Sequence, residues 1–371
     1  MSNDFIVIGA GALGLSTAEA LLRTGAAVTV LERGDVGREA SWAGGGILSP
    51  LCPWDYAEEV TRLALRSMAL FEPWAQRLHD ATGIDPEYDR CGMLVLPPFD
   101  AVTARQWCAA HGVVCLPSPD GITSDLPACG LSRLASSSTR GTEGEGEALS
   151  LPAVAQVRNP RLLQAMRAQV LRLGGRIVEQ CGVERIVADG GRVTGLQTMR
   201  GIFSAEGCVV TAGAWSKVLL GEHALHTDIR PMRGQMLLFK FDTPPLPHIL
   251  LQGDLYFIPR RDGHLLVGST VEDVGFDKST TAAAREMLLQ RAVALLPALR
   301  DMSIVKHWAG LRPGSPANIP TIGRHPALSN LYINSGHFRY GITMAPASAQ
   351  ILLNEIEGRP QPFDVAPYRW R

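Results

Sequence analysis

The sequence predicts a fold of mixed class, α/β together with α+β, in which a Rossmann-like domain joins a second domain built on a large antiparallel sheet. Three observations predict it. Residues 5–8, 15–23 and 28–31 show a strand, helix and strand pattern. Residues 230–269 contain consecutive strand patterns without crossover helices, which is typical of an antiparallel sheet. The chain has 371 residues, more than one hydrophobic core normally serves, so we expect two domains.

The first strand leads into a GxGxxG loop formed by Gly9, Gly11 and Gly14. In a dinucleotide-binding unit the first glycine permits a tight turn and the second lets the backbone approach a pyrophosphate. The third lets the helix pack on the strand. Glu32 ends the second strand, where an acid is expected to accept hydrogen bonds from a ribose. The alternative is a glycine-rich turn of an ordinary α/β protein, but the flanking elements favour dinucleotide binding.

The net charge, the first residues and the cysteines indicate which binding partners and which cell compartment to expect. The net charge of −1 gives no electrostatic basis for binding nucleic acid or a membrane surface. The first predicted strand, residues 5–8, follows Asp4 directly and leaves no room for a basic segment before an apolar one. This predicts no signal peptide. The seven cysteines form no CxxC pair, which predicts reduced thiols, a cytoplasmic location and no metal site.

The first half of the chain contains two unusual segments. Gly44, Gly45 and Gly46 precede apolar residues, which indicates backbone lying against a flat ligand; a flexible surface loop is the alternative. Residues 131–150 are rich in Ser, Gly, Thr and Glu, which predicts an exposed loop insertion. The remaining predicted elements of this half are helices over 57–82 and 101–111 and a strand over 91–96.

The second half begins with a predicted helix over 159–173, in which Asn159 is the N-cap and Pro160 the first helical residue. An Asp189-Gly190 turn predicts a hairpin. The other predicted elements are strands over 208–211, 230–241, 255–260, 264–269 and 331–334, helices over 281–300 and 342–356, a rigid turn over 308–316 and a turn over 335–341.

Five segments together resemble the FAD-dependent amine and D-amino-acid oxidase family, in particular the glycine oxidases of thiamine biosynthesis. They are residues 9–14, 37–50, 258–270, 308–314 and 336–342. The resemblance covers nearly the whole chain. It implies a discontinuous FAD-binding domain over 1–90, 152–222 and 306–371 and a substrate domain over 91–151 and 223–305.

The resemblance also implies which residues bind the FAD. A helix that starts near Gly341 would direct its positive end at the flavin ring. The last cysteine is Cys208, so none lies near the C-terminal motifs and we expect non-covalent FAD. The implied contact residues are Gly9, Gly11, Ala12, Leu13, Gly14, Glu32, Arg33, Ala40, Ser41, Gly44, Gly45, Gly46, Val183, Ala212, Gly213, Trp215, Gly336, His337, Phe338, Arg339, Tyr340, Gly341 and Ile342.

Arg312 and Arg339 are the candidate substrate-binding cations, because a guanidinium binds a carboxylate in a bidentate manner. An isolated arginine is usually a solvated surface residue, but the motif context favours binding. Tyr256 resembles the family's substrate-contacting tyrosine; a core aromatic is the alternative. His337 lies between Gly336 and the other residues of a flavin-contacting turn, so we expect backbone contacts from it and assign no acid or base.

The implied activity is oxidative deamination of glycine, sarcosine or D-alanine to the 2-oxo acid, ammonia or amine, and hydrogen peroxide, with dioxygen as acceptor. The implied pathway is thiamine thiazole synthesis, and the family resemblance implies a homo-oligomer, a tetramer. Three alternatives stay open: a D-amino-acid dehydrogenase or sarcosine oxidase-like enzyme, a flavin-binding protein without amine turnover, and an NAD-binding dehydrogenase.

Overall fold

The structure is a computed structural model that describes residues 4–117 and 147–370. Its strands are β1 (Phe5–Ile8), β2 (Val28–Leu31), β3 (Met93–Leu96), β4 (Leu116–Pro117), β5 (Leu149–Leu151), β6 (Arg176–Val178), β7 (Val183–Asp189), β8 (Arg192–Thr198), β9 (Gly201–Phe203), β10 (Gly207–Val210), β11 (Arg230–Lys240), β12 (Ile249–Gln252), β13 (Leu255–Pro259), β14 (His264–Gly268), β15 (Lys306–Gly314), β16 (Thr321–Arg324) and β17 (Leu331–Ser335). Its α-helices are α1 (Ala12–Leu22), α2 (Ala40–Ala43), α3 (Glu58–Thr82), α4 (Ala101–Ala110), α5 (Asn159–Arg172), α6 (Ser216–Leu220), α7 (Ala282–Leu295) and α8 (Gly341–Glu357).

The first sheet has the strand order β16-β17-β10-β1-β2-β6 and is parallel except for β16. The side chains of successive residues of β1 point to opposite faces of the sheet, as the two-residue period of a strand requires. Val7 packs in a core shared with α1, α3, α5 and α8. Ile6 and Ile8 pack on the other face with residues of β7 and β8. Both faces are therefore buried, which explains the uninterrupted apolar runs in the sequence.

The second sheet has the order β15-β11-β14-β13-β12-β3-β5-β4 and is antiparallel except where β12 pairs with β3. Helix α7 covers one face, where it packs on residues such as Phe257. The other face presents Met236, Tyr256 and Ile258. These two sheets confirm the predicted fold class, and the Tyr256 face is the one that meets the nucleotide-binding loops.

Four element predictions are wrong in detail. Residues 308–316 are not a rigid turn, because residues 308–314 belong to β15, which pairs with β11. Pro313 is tolerated there because β15 is an edge strand and lies opposite Pro231, beyond the part of β11 that pairs with β14. The predicted segment 306–371 of the FAD-binding domain therefore begins inside the larger sheet, and we propose that its boundary follows Gly314. The helix predicted over 281–300 ends at Leu295.

The other two corrections concern Asn159 and the predicted insertion. Arg158 is the N-cap of α5, and the Asn159 side chain is fully buried and bonds elsewhere. Residues 149–150 belong to β5, with Leu149 in the core, so the predicted loop does not extend to them. Residues 131–146 lie outside the described residues.

Within residues 4–117 and 147–370, no helix combines the length and the apolar composition needed to span a bilayer. The same residues contain no cluster of three or more His, Cys, Asp or Glu side chains that could hold a metal ion.

Candidate functional site

A cleft of about 330 Å³ lies between the carboxyl ends of the parallel strands and the Tyr256 face of the second sheet. Pockets of this kind commonly hold small molecules and cofactors at strand ends. Every predicted site residue except Gly14 lines it. Those lining residues are Gly9, Gly11, Ala12, Leu13, Glu32, Arg33, Ala40, Ser41, Gly44, Gly45, Gly46, Val183, Ala212, Gly213, Trp215, Tyr256, Arg312, Gly336, His337, Phe338, Arg339, Tyr340, Gly341 and Ile342.

Glu32 is held rigidly at one end of the cleft. One of its carboxylate oxygens accepts a hydrogen bond from the N–H of Ala10 at 2.7 Å, and the other accepts from the N–H of Gly34 at 2.9 Å. Each carboxylate oxygen can accept a second bond. The side chain is therefore oriented by the protein and retains acceptor capacity for a pair of ribose hydroxyls.

The glycine loop is packed too tightly for larger residues. A Cβ atom on Gly14 would lie 1.8 Å from the carbonyl oxygen of Gly9 and 2.7 Å from Oγ1 of Thr211. Gly14 therefore does not contact the cleft, but it permits the close approach of α1 to β1 on which the loop depends. Ser41 accepts a hydrogen bond from the N–H of Ala12 at 3.0 Å, so its hydroxyl lies beside the helix N-terminus.

Gly45 and Gly46 lie against the second sheet and the segment before α5. A Cβ on Gly45 would lie 2.4 Å from Cδ1 of Ile258, and one on Gly46 would lie 2.2 Å from the carbonyl oxygen of Val157. Nδ2 of the buried Asn159 donates to the carbonyl oxygens of Ser41 at 2.7 Å and Gly44 at 2.9 Å. This loop is therefore fixed backbone, in agreement with a ligand-contacting role and not with a flexible surface loop.

Trp215 and Glu39, which line the cleft, each contact side chains from other segments. The guanidinium of Arg33 lies 3.9 Å from the centre of the Trp215 ring, and Phe276 stacks with the same indole at 5.5 Å. Glu39 accepts from Arg33 and from Lys278, each at 3.0 Å. Sequence reasoning missed Glu39, Phe276 and Lys278, because they meet only through the fold and belong to no local motif.

Arg312 lies at the opposite end of the cleft and is oriented by neutral acceptors. Its Nη2 donates to Oγ of Ser269 at 2.6 Å and its Nη1 to the carbonyl oxygen of Thr270 at 3.0 Å. No carboxylate in the described parts of the chain forms an ion pair with it. Burial lowers the pKa of Arg312, while Tyr256 opposes that shift. An unpaired guanidinium in a largely buried cleft favours an anionic ligand.

Gly234 provides the space for this guanidinium, because a Cβ there would lie 2.1 Å from Nη1 of Arg312. The network continues behind the arginine, where Thr270 accepts from the N–H of Gln235 at 2.9 Å and donates to Glu272. Glu272 pairs with the buried Arg233 at 2.6 Å. The sequence analysis identified neither Gly234 nor Ser269. Ser269 lies in the segment 258–270, which was the only signal for it, and Gly234 lies in no motif.

Arg339 and Tyr340 complete this end of the cleft. Arg339 is half-buried, and its guanidinium carbon lies 5.5 Å from the centre of the Phe338 ring. Tyr340 is 2% exposed, and its ring meets that of Tyr56 edge to face at 5.2 Å. Burial raises the pKa of Tyr340 well above its ordinary value, so the phenol stays neutral. Tyr56 is a site neighbour that the sequence did not reveal.

His337 is fully buried, and its Nε2 lies 2.8 Å from Oγ of Ser348. Burial lowers the pKa of His337 to about 3, so the imidazole is neutral at physiological pH. An imidazole with so low a pKa is a weak base, and we continue to assign it no proton transfer.

The same burial predicts an effect of pH on stability. Below about pH 6.5 the unfolded chain binds a proton at His337 that the folded protein does not, so stability falls as the pH drops toward 3. The expected slope is about 1.4 kcal/mol per pH unit. Urea unfolding between pH 4 and 7 should show this slope in the wild type relative to His337→Gln. The exposed His226→Gln is the control, and parallel wild-type and His337→Gln curves would contradict the prediction.

The cleft fits the FAD predicted from the sequence. Glu32 and the glycine loop suit an adenosine ribose and a pyrophosphate, and the fixed glycines Gly45 and Gly46 suit a flat ring. Neither α1 nor α8 carries an acidic residue in its first turn, so both helix N-termini are left for negative charge on a ligand.

Comparison with known proteins agrees with this geometry. The family model described as FAD dependent oxidoreductase matches residues 4–354. A glycine oxidase of Pseudomonas aeruginosa is 43% identical over 370 residues, which cover 99% of this chain and 98% of that protein. A bifunctional ThiO/ThiG protein of Nostoc is 33% identical and matches 96% of this chain, which spans 53% of that longer protein.

Among solved structures, the glycine oxidase of Geobacillus kaustophilus superposes with a TM-score of 0.90 at 26% identity, covering 100% of this chain and 98% of that one. The match extends over both sheets. This chain belongs to the family of FAD-dependent oxidoreductases.

Proposed function

We propose that this protein is a glycine oxidase that deaminates glycine, and also sarcosine and D-alanine, with dioxygen as the acceptor. The glycine loop, Glu32 and the segment 44–46 would hold FAD, which when bound would supply an acceptor for the hydride of the substrate α-carbon and a route for the two electrons to dioxygen, with hydrogen peroxide as the product. For glycine, the balanced products with one water are glyoxylate, ammonia and hydrogen peroxide. The observation that carries the proposal is the unpaired guanidinium of Arg312 beside Tyr256 in the cleft.

Arg312 binds the substrate carboxylate in a bidentate manner. Its acceptors Ser269 and Thr270 fix the plane of the guanidinium, and it projects from paired strands, so the carboxylate is held on a rigid element. Anchoring the carboxylate fixes the α-carbon next to it, which is the atom that must face the flavin. Tyr256 and Tyr340 form apolar walls that favour a small substrate.

No protein base is needed if the amine binds in its neutral form. The acids that line the cleft are Glu32, Glu39 and Glu184, which lie with the dinucleotide-binding residues and not with Arg312. His337 is neutral and held by Ser348. The ammonium proton of the substrate therefore leaves to solvent before oxidation, so we expect the reaction with glycine to accelerate as the pH rises.

The wider role rests on resemblance to the glycine oxidases of thiamine biosynthesis. It supports the proposal that the imine of glyoxylate is used in thiamine thiazole synthesis before water hydrolyses it. We also propose a cytoplasmic homo-oligomer, a tetramer in the pattern of the family.

The experiment that tests the activity is the anaerobic absorbance spectrum with glycine, sarcosine or D-alanine, followed by oxygen uptake with each. We expect glycine to bleach the flavin and air to restore the spectrum with release of peroxide. Bleaching with transfer only to an added dye would indicate a dehydrogenase, and a spectrum unchanged by every amine would refute amine oxidation.

A further inference from the structure

Arg260 is a buried arginine that the substrate and dinucleotide roles leave unexplained. It is 5% exposed, and no carboxylate in the described parts of the chain forms an ion pair with it. Its Nη1 donates to Oε1 of Gln156 at 2.7 Å and to the carbonyl oxygen of Val157 at 2.8 Å. Its Nη2 donates to the carbonyl oxygen of Gly45 at 2.7 Å. Burying a guanidinium against neutral groups is costly, so a purely structural clamp is a poor explanation.

The bond to Gly45 sets the direction of the peptide that follows. Arg260 does not line the cleft, whereas Gly45 and Gly46 do. In a trans peptide the N–H points opposite to the preceding C=O. Because the Gly45 carbonyl faces Arg260, the N–H of Gly46 faces the other way, toward the cleft. Asn159 holds the Gly44 carbonyl and thereby orients the N–H of Gly45 in the same manner.

Both N–H groups lack an acceptor in the described parts of the chain. Unpaired backbone donors in a buried site need a partner, and a ligand supplies it when the protein does not. The side chains nearest to Gly45 are Ile258 and Tyr256 of the second sheet, and Tyr256 lines the cleft together with Arg312.

We propose that Arg260, assisted by Asn159, is a positioning residue that directs the N–H groups of Gly45 and Gly46 to the acceptor atoms of the flavin ring. The guanidinium acts from behind the loop and touches neither cofactor nor substrate. The proposal rests on FAD binding and not on the identity of the amine.

The test uses apoprotein prepared by removing FAD and titrated with FAD or with ADP, which lacks the ring. In Arg260→Met we expect FAD affinity to fall by about tenfold to a hundredfold, as for the loss of hydrogen bonds that depend on a charged group. ADP affinity should stay at the wild-type value, because Glu32 and the glycine loop are unchanged. Arg260→Lys keeps the positive charge but loses the planar guanidinium. Its FAD affinity should lie between that of the wild type and that of Arg260→Met.

Arg261→Met is the matched control, because Arg261 is the next residue, is exposed and bonds only at the surface to Tyr88 and Asp85. It should bind FAD and ADP as the wild type does. Wild-type FAD affinity in Arg260→Met, or an equal loss of FAD and ADP affinity, would overturn the proposal. If circular dichroism shows Arg260→Met to be unfolded, Arg260→Lys is judged by the same two affinities and the same two outcomes. Because no amine is used, the result is independent of the proposed oxidase activity.

Discussion

Replacing Arg312 with Leu is expected to weaken the binding of a carboxylate inhibitor by about thirtyfold or more, since loss of one partner of a buried charge pair costs about 2–5 kcal/mol. The FAD should remain bound, because the ribose and pyrophosphate contacts lie at the other end of the cleft. The affinity is measured from the change in flavin absorbance on titration with inhibitor. The rate of anaerobic flavin reduction by glycine should fall with it.

Two further variants separate charge from geometry. Arg312→Lys keeps a cation but cannot bind both carboxylate oxygens, so it should recover only part of the affinity. Gly234→Ala retains the arginine at position 312 but puts a methyl group 2.1 Å from the present position of its Nη1, so the guanidinium must move and the inhibitor affinity should fall. Arg230→Leu, on the same strand β11 but exposed and paired with Asp228, is the control. Unchanged inhibitor binding in Arg312→Leu would remove Arg312 from the substrate site.

The dinucleotide end could be predicted from the sequence because its determinants are local. One strand-helix-strand unit contains Gly9, Gly11, Gly14 and Glu32. The glycines are recognised by their spacing and the acid by its position at the end of the second strand. The structure places Gly9, Gly11 and Glu32 along the cleft, whereas Gly14 lies behind the loop, where α1 approaches β1. The Arg312 end was predicted mainly by resemblance, since an isolated arginine has no local signature of burial.

What the sequence could not show depends on contacts between distant segments. Arg260 and Asn159 contact the segment 44–46 from different parts of the chain. The residues next to them in the sequence do not indicate that their side chains are buried against it. Pro313 reads as a turn former because local chemistry cannot reveal that its strand lies at a sheet edge. Asn159 fits the N-cap preference, but its amide is used to hold two carbonyls of another loop.

Replacing Gly14 with Ala should have the largest effect of any single methyl addition near the cleft. The added Cβ would lie 1.8 Å from the carbonyl oxygen of Gly9, a backbone atom that cannot rotate away. Overpacking costs about 1–3 kcal/mol or more, which for a chain of 371 residues corresponds to a fall in Tm of roughly 1–4 °C or more. Moving α1 away from β1 also misplaces the loop, so the purified variant should contain little FAD.

Gly34→Ala is the matched control, because the nearest atom to a Cβ there is 4.0 Å away and the N–H that Glu32 accepts is retained. It should keep both its Tm and its FAD, measured from the absorbance of flavin released on denaturation. A Gly14→Ala protein with wild-type FAD content would show that α1 can shift without disturbing the loop. The tight contact would then be a packing feature alone, and Gly9, Gly11 and Glu32 would suffice to hold the dinucleotide.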